Sequence, residues 1–274
     1  MVGKPEMAKV FVNGINIDYR VDGQGDPLIM IMGFGSAKNN WRFQIGSFKK
    51  YYRTITFDNR GVGKSDKPTG PYTIRMMADD TIGLMDHLGI NKAHILGVSM
   101  GGMIAQELAI NYPERVDKLI LAATFARRDR TSGYSSEASK AQEIYDESPH
   151  DEVRIRRLAA VKVDLTLNKR LYRILGIPQM RIMIRLAPLS ALNGLAGQID
   201  AILAHDTVDR LKLIRAPTLV ITGTADRLVK PVSSEVIANL VPKAKLVKVE
   251  GGSHGFNAEM RSEFNKEVLK FLRN

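Results

Sequence analysis

The chain has 274 residues, of which 44% are hydrophobic, and this suits one large α/β domain with an insertion. It contains no cysteine, which excludes disulfides, thiolate metal sites and cysteine nucleophiles. The formal net charge of +11 is compatible with binding to nucleic acid, to anionic lipid or to an acidic partner. The location of that charge in the chain therefore matters more than its total.

The hydrophobic pattern argues against membrane insertion and export. No apolar run reaches the ~18–20 residues that a membrane-spanning helix needs. Residues 1–6 hold no apolar signal core. Together with the absence of cysteine, this predicts a cytoplasmic protein without a transmembrane segment.

Eight strands are predicted in chain order. Asn13-Gly14 lies between two alternating runs and is a strong hairpin signal, so the first two strands are expected to pair antiparallel. The other six are mainly apolar runs, as in buried strands of a parallel sheet. The predicted strands span residues 9–12, 15–20, 27–32, 53–57, 93–96, 116–123, 218–221 and 245–249.

Helices alternate with these strands, which predicts a mostly parallel sheet covered on both faces. The helical patterns span residues 39–50, 73–88, 103–109 and 256–272. Between residues 125 and 205 the alternation stops and the pattern is helical throughout. We interpret residues 125–205 as a helical cap inserted after the sixth strand, over a core domain formed by residues 1–124 and 206–274.

Gly97-Val98-Ser99-Met100-Gly101 stands between an apolar strand and a helical pattern. A Gly-x-Ser-x-Gly in that setting is a nucleophile elbow, whose sharp turn requires small flanking residues. The turn holds the Ser99 hydroxyl above the start of a helix, where the Met100 N–H and the helix dipole can stabilise an oxyanion.

A second stretch, Gly251–Gly255, fits the same pattern around Ser253. A serine nucleophile on this scaffold needs an acid and then a histidine later in the chain. Only Ser99 has both, so we interpret Gly251–Gly255 as the loop that carries the histidine.

The acid and the histidine follow the last two predicted strands. Asp226 comes after residues 218–221, and His254 after residues 245–249. Parallel strands present their ligands at their carboxyl ends, so both side chains are expected at the edge that carries Ser99. Asp226 has an alternative interpretation as a helix N-cap. The other acids and histidines weighed for these places lack a preceding strand or lie within other elements: Asp206, Asp209, His87, His94, His150 and His205.

Five motifs occur in the order typical of one family, and the chain resembles the α/β-hydrolase superfamily over nearly its whole length. Within it, the chain is similar to capped carboxylesterases, enol-lactonases, carbon–carbon bond hydrolases and cofactor-free haloperoxidases. The motifs are Gly33-Phe34-Gly35, Asp58-Asn59-Arg60-Gly61-Val62-Gly63-Lys64-Ser65, Gly97-Val98-Ser99-Met100-Gly101-Gly102, Gly223-Thr224-Ala225-Asp226 and Gly252-Ser253-His254.

This resemblance implies a role for each site residue. Ser99 is the expected nucleophile, His254 the base that takes its proton, and Asp226 the acid that orients the imidazole. The N–H groups of Phe34 and Met100 are the expected oxyanion-hole donors. No metal or other cofactor is needed.

The loop around Phe34 departs from the family pattern. Many relatives carry His-Gly where this chain has Met32-Gly33, and that histidine organises the loop. Asp58-Asn59-Arg60 is expected to have a structural role beside the site. The following Gly61-Val62-Gly63-Lys64-Ser65 lacks the spacing of a phosphate-binding loop.

The cap holds most of the positive charge. Two interpretations stay open: solvated helix faces, or a surface that steers an anionic substrate or acidic partner to the site. A nucleic-acid partner is not expected, because no recognition motif accompanies the charge. Residues 153–195 contain one acidic residue, Asp164, and nine basic residues: Arg154, Arg156, Arg157, Lys162, Lys169, Arg170, Arg173, Arg181 and Arg185.

The sequence therefore predicts a serine carboxylic ester hydrolase for small-molecule esters with short to medium acyl chains. An enol-lactonase or a carbon–carbon bond hydrolase on the same triad is the alternative, with perhydrolysis as a side activity. A non-enzymatic binding protein is a further alternative, against which the intact triad argues. Monomer and homodimer both stay open.

Overall fold

A computed structural model describes residues 6–127, 182, 186 and 189–274. It contains the eight-stranded, mostly parallel sheet that the sequence predicts, with strand order β1-β2-β4-β3-β5-β6-β7-β8. The strands are β1 (Glu6–Val12), β2 (Ile15–Asp22), β3 (Pro27–Ile31), β4 (Arg53–Phe57), β5 (Ala93–Val98), β6 (Val116–Ala122), β7 (Thr218–Gly223) and β8 (Lys245–Val249).

The first two strands form the predicted hairpin. Asn13 has φ 48° and Gly14 has φ 79°, the left-handed conformations that a two-residue hairpin turn requires. Val12 pairs with Ile15 across the turn. Only β1 with β2 and β2 with β4 pair antiparallel among the described strands, so β3 to β8 form a parallel sheet.

Helices cover both faces of this sheet, and the strand residues alternate between two cores. Ile29 and Ile31 pack with α2, α3 and α5, whereas Leu28 and Met30 pack with α1, α6 and α7. Because both faces of the sheet are buried, these strands are continuous apolar runs in the sequence. The described helices are α1 (Arg42–Phe48), α2 (Ile74–His87), α3 (Met100–Asn111), α4 (Leu189–Leu203), α5 (Pro231–Leu240), α6 (Phe256–Glu259) and α7 (Arg261–Arg273).

Two of the predicted helices are divided in the structure. The helix predicted over 39–50 begins as a 3₁₀ turn at Lys38–Trp41 and continues as α1. The closing helix predicted over 256–272 breaks at Met260, where φ −123° and ψ 45° lie outside the helical range. The hydrophobic spacing continues across this break, so the sequence pattern could not show that the helix is interrupted at Met260.

Most of the predicted cap lies outside the described residues, and so do its nine basic side chains, His150 and Asp164. From residues 125–205 the structure describes 125–127, 182, 186 and 189–205, including α4. The cap and its boundaries therefore remain predictions. Among the described helices, none is both long and apolar enough to cross a membrane.

Candidate active site

The candidate site lies at the carboxyl ends of the parallel strands, near β3 and β5. The chain passes from β3 to β4 on one side, then returns to β5 on the other side of β3. The loops after two neighbouring strands therefore leave in opposite directions, which opens a crevice of the kind where α/β sheets bind ligands.

Ser99 occupies the turn from β5 into α3. It has φ 57° and ψ −122°, a strained conformation for a residue with a side chain. The turn needs its glycines because backbones meet there. A Cβ at Gly97 would lie 2.1 Å from the carbonyl oxygen of Gly101, and one at Gly101 would lie 2.1 Å from that of Ile31. These contacts account for the small residues that the motif predicts.

The structure brings the three predicted side chains together. His254 Nε2 lies 3.0 Å from the Ser99 hydroxyl oxygen, and His254 Nδ1 lies 2.8 Å from Asp226 Oδ2. With the proton on Nδ1, the imidazole donates to Asp226 and accepts from the Ser99 hydroxyl. The side chains of His254 and Asp226 are 4% and 0% exposed, so little water competes for these contacts, whereas Ser99 is only half-buried.

Asp226 is fixed by contacts on both of its oxygens. Its Oδ1 accepts hydrogen bonds from the backbone N–H groups of Leu228 and Val229, each at 2.9 Å, which leaves Oδ2 for His254. The N-cap position of α5 is Lys230, so the alternative interpretation of Asp226 as the N-cap of that helix is wrong. Its carboxylate stabilises the turn that precedes the helix.

The second Gly-x-Ser-x-Gly has a different environment. Ser253 is fully buried, donates to the carboxylate of Glu259, and accepts from the Gly255 N–H at 3.1 Å. This hydroxyl holds the loop that carries His254 in place. The stretch is therefore the histidine's loop, as the sequence predicts.

Phe34 and Met100, the predicted oxyanion donors, belong to two segments that lie beside Ser99. Met100 is the first residue of α3, where a backbone N–H has no acceptor within the helix. Phe34 belongs to the loop after β3, which approaches Ser99 closely. A Cβ at Gly33 would lie 3.0 Å from Ser99 Cβ and 3.5 Å from its Oγ.

The loop after β4 supports the loop of Phe34. Asn59 donates a hydrogen bond from Nδ2 to the carbonyl oxygen of Met32 at 2.9 Å. The Asp58 carboxylate accepts from the backbone N–H of Lys38 at 2.6 Å and from that of Lys64 at 2.8 Å. These contacts agree with the structural role expected for this motif.

Arg60, the third residue of that motif, forms a buried ion pair with Asp80 on α2. Two hydrogen bonds of 2.6 Å join the guanidinium to the carboxylate, and the two side chains are 6% and 3% exposed. Burial raises the pKa of Asp80, while the bonds and charge of Arg60 oppose that change. The pair fixes the backbone of Arg60 beside the site.

One contact to these loops was missed by sequence reasoning. Gln198 of α4 is fully buried and hydrogen-bonds to the backbone of both Gly35 and Arg60. The available signal was a polar residue close to Gly194 and Gly197 on a helix that is rich in small and apolar residues. That signal marks a closely packed face but not its partner.

The other described histidines lie in separate environments. His87 is exposed on α2, and His94 within β5 has Nδ1 3.1 Å from Asp117 Oδ2. Burial lowers the pKa of His94. Burial also lowers the pKa of His205, which follows α4, to about 4. No cluster of three or more histidine and acidic side chains within the described ranges could hold a metal ion.

Comparison with known proteins places these features in a wider context. A family model described as the alpha/beta hydrolase fold matches residues 26–259. BpoC of Mycobacterium tuberculosis, provisionally named a non-heme bromoperoxidase, is 32% identical over 264 residues, covering 94% of this chain and 98% of its own.

Two solved structures are similar over nearly the whole chain. An enol-lactonase from Burkholderia xenovorans LB400 has a TM-score of 0.83 at 28% identity, covering 97% of this chain and 100% of its own. A thermophilic esterase from Thermogutta terrifontis has a TM-score of 0.81 at 26% identity, covering 98% of each chain.

Proposed function

The chain belongs to the α/β-hydrolase family, and we propose that it is a serine hydrolase that cleaves carboxylic esters through Ser99, His254 and Asp226. The observation that carries this proposal is the position of the His254 ring, 3.0 Å from the nucleophile on one side and 2.8 Å from the carboxylate on the other. The esterase and the enol-lactonase among the similar structures support it, since both names describe cleavage of an acyl C–O bond.

In the first step the Ser99 oxygen attacks the ester carbonyl while its proton passes to His254 Nε2. The imidazole becomes positively charged, and the Asp226 carboxylate beside Nδ1 stabilises that charge. Because Asp226 is already held by two backbone N–H groups, its carboxylate need not reorient during the reaction.

The carbonyl oxygen gains a negative charge in the tetrahedral intermediate. In this proposal the N–H groups of Met100 and Phe34 donate to that oxyanion. Losing one such donor costs roughly 10²–10³-fold in kcat, so the position of the Phe34 loop matters to the rate.

The intermediate then collapses and the alcohol leaves with the proton from His254 Nε2. The acyl group remains on Ser99 as an ester. A water molecule gives a proton to the same nitrogen and attacks the acyl carbonyl, and the acid leaves as Ser99 recovers its proton. These steps need only the three side chains, the backbone N–H donors and water.

The preference for short to medium acyl chains rests on the sequence of the predicted cap, most of which lies outside the described ranges. That segment is rich in leucine and methionine, which line apolar pockets well. We expect most of the following residues to pack within the cap and some of them to line the pocket; 186 and 189 fall within the described residues: Leu158, Leu165, Leu171, Leu175, Met180, Met183, Leu186 and Leu189.

An enol-lactone is the second candidate substrate, favoured by the similarity to the Burkholderia enzyme. A lactone is a cyclic ester, so attack by Ser99 opens the ring and leaves the enol tethered to the acyl chain. Carbon–carbon bond cleavage and perhydrolysis on the same triad remain further alternatives.

A substrate panel separates these candidates. The assay measures hydrolysis of p-nitrophenyl esters from acetate to octanoate and of a five-membered enol-lactone, for the wild type and for Ser99→Ala. Ser234→Ala is the matched control, because its hydroxyl is fully buried on α5 and forms no hydrogen bond in the described structure.

We expect ester turnover in the wild type and in Ser234→Ala, with a loss of about 10⁴-fold or more in Ser99→Ala. Turnover of the lactone but of none of the p-nitrophenyl esters would favour an enol-lactonase over an esterase of open-chain esters. Absence of Ser99-dependent turnover on every substrate would contradict the proposal.

A further inference from the structure

Gln198 connects the two loops that border the candidate site. Its Oε1 accepts a hydrogen bond from the Gly35 N–H at 2.9 Å, and its Nε2 donates to the Arg60 carbonyl oxygen at 2.7 Å. The side chain is fully buried, and its two partners are 163 and 138 residues away in sequence. Both partners are backbone atoms, so the glutamine fixes main-chain positions rather than another side chain.

These contacts bear on the N–H of Phe34. Gly35 N–H belongs to the peptide group that follows Phe34, and Gln198 holds that group. The Met32 carbonyl, which precedes Gly33, is held by Asn59 at 2.9 Å. The loop is therefore held on both sides of the proposed oxyanion donor, without the histidine that many relatives carry at position 32.

The helix that bears Gln198 is seated at backbone distance from the loop after β4. A Cβ at Gly194 would lie 2.2 Å from the Gly61 carbonyl oxygen, and one at Gly197 would lie 2.7 Å from the Tyr72 ring. Only residues without a side chain permit this approach. It brings the amide of Gln198 within reach of both loops.

The second anchor of Gln198 is itself rigid. Its acceptor belongs to Arg60, whose guanidinium forms the buried bidentate pair with Asp80 and lies 5.6 Å from the centre of the Tyr72 ring. Burial raises the pKa of Tyr72 to about 12, so its phenol stays neutral. A buried, fully bonded network of this kind holds a single geometry.

We propose that Gln198 is a positioning residue that sets the Phe34 N–H for the oxyanion. The inference rests on the proposed ester hydrolysis. It makes α4, at the end of the predicted cap, a part of the catalytic geometry. The oxyanion forms only after Ser99 has attacked the carbonyl and is absent from the bound substrate. Loss of this alignment therefore lowers kcat and leaves substrate binding in place.

Gln198→Met tests this inference, because methionine has a similar length but no amide. The matched control is Gln106→Met on α3. Gln106 is also fully buried and bonds through both ends of its amide, to the Phe125 carbonyl at 3.0 Å and the Thr207 hydroxyl at 2.6 Å. It makes neither of the two contacts that Gln198 makes to the site loops.

The assay measures kcat and KM for p-nitrophenyl butyrate and the inhibition constant of an aryl trifluoromethyl ketone. That ketone accepts the Ser99 oxygen and forms a tetrahedral adduct with an oxyanion. For Gln198→Met we expect kcat to fall about 10²-fold, inhibitor affinity to fall by a similar factor, and KM to stay within about twofold. For Gln106→Met we expect all three to stay within about threefold.

Thermal unfolding confirms that each variant is folded. Gln198→Asn provides a second test should the methionine variant not fold, since an amide one methylene shorter cannot span both anchors and should show the same split. Unchanged kcat and inhibitor affinity in a folded Gln198 variant, or an equal loss in Gln106→Met, would overturn the inference alone. Absence of Ser99-dependent turnover in the wild type would overturn the proposed function as well.

Discussion

His205 provides a test of the packing between α4 and the core. It is 4% exposed, with its ring 6.2 Å from that of Phe125. Burial lowers its pKa to about 4, against opposing effects from Glu107, Asp206 and the backbone of Phe125, while Arg210 lowers it further. The folded protein therefore holds this imidazole neutral.

The sign of the pH dependence follows from this lowered pKa. An unfolded histidine titrates near 6.5, so the unfolded state takes up a proton first as the pH falls. The stability contributed by neutral His205 is complete above about pH 6.5 and is lost as the pH falls toward 4. The difference between the folded and unfolded pKa values of His205 corresponds to about 3 kcal/mol in the free energy of unfolding, of which about 2 kcal/mol is lost between pH 7.5 and pH 5.0.

Urea denaturation at pH 7.5 and pH 5.0 measures this loss. His205→Met removes the titrating group and should lose about 2 kcal/mol less than the wild type over the same interval. Burial also lowers the pKa of His94, but that residue is common to both proteins and cancels in the comparison. The interval lies above the ordinary range of carboxylates, which limits their contribution.

Phe125→Leu is the matched control, because it weakens packing against the ring and keeps the imidazole. We expect it to lower the free energy of unfolding by a similar amount at both pH values. Equal pH dependence in the wild type and His205→Met would refute the reasoning, since the buried imidazole would then contribute nothing to acid sensitivity.

Three further predictions concern charge. Asp226→Asn keeps an acceptor for the Leu228 and Val229 N–H groups but not the carboxylate beside His254 Nδ1, so kcat should fall about 10⁴-fold in a folded protein. Asp80→Ala leaves the buried Arg60 guanidinium without its carboxylate and should lower the free energy of unfolding, measured by urea denaturation, by about 3–5 kcal/mol. Glu235→Ala, in the half-exposed pair with Lys248, should lower it by at most ~1 kcal/mol. Replacing Arg154, Arg156 and Arg157 with Glu should lower kcat/KM for an anionic ester more than for a neutral one, with a smaller difference at high salt.

Each of these predictions has a contradicting result. Full activity in Asp226→Asn would show that the Asp226 carboxylate is not needed for catalysis. Equal losses in Asp80→Ala and Glu235→Ala would mean that burial of the first pair has no energetic weight. Unchanged rates and salt dependence in the arginine variant would leave the basic residues as solvated helix faces.

Local patterns predicted the parts of the fold that depend on neighbouring residues. Asn13-Gly14 specified the hairpin, because its left-handed turn is a property of those two residues. The glycines around Ser99 indicated a close approach, although the atoms they meet could not be inferred. Gly101 of α3, for example, packs against Ile31 at the end of β3.

Contacts between distant segments were not predictable in the same way. Asp226 could be assigned as acid or helix cap from sequence, and only the coordinates show its two oxygens divided between His254 and the turn. The burial of His205 depends on residues such as Phe125 and Glu107, far away in the chain. Gln198 reaches Gly35 across 163 residues, and no periodicity in α4 marks such a partner.

The central claim is that Ser99 is the nucleophile activated by His254, and covalent labelling tests it most directly. Treatment with a fluorophosphonate, followed by intact-mass measurement and peptide mapping, reports which hydroxyl reacts. We predict a single adduct on Ser99 that is absent in Ser99→Ala and forms far more slowly in His254→Gln. An adduct on Ser253 or elsewhere, or one that persists in Ser99→Ala, would contradict the account.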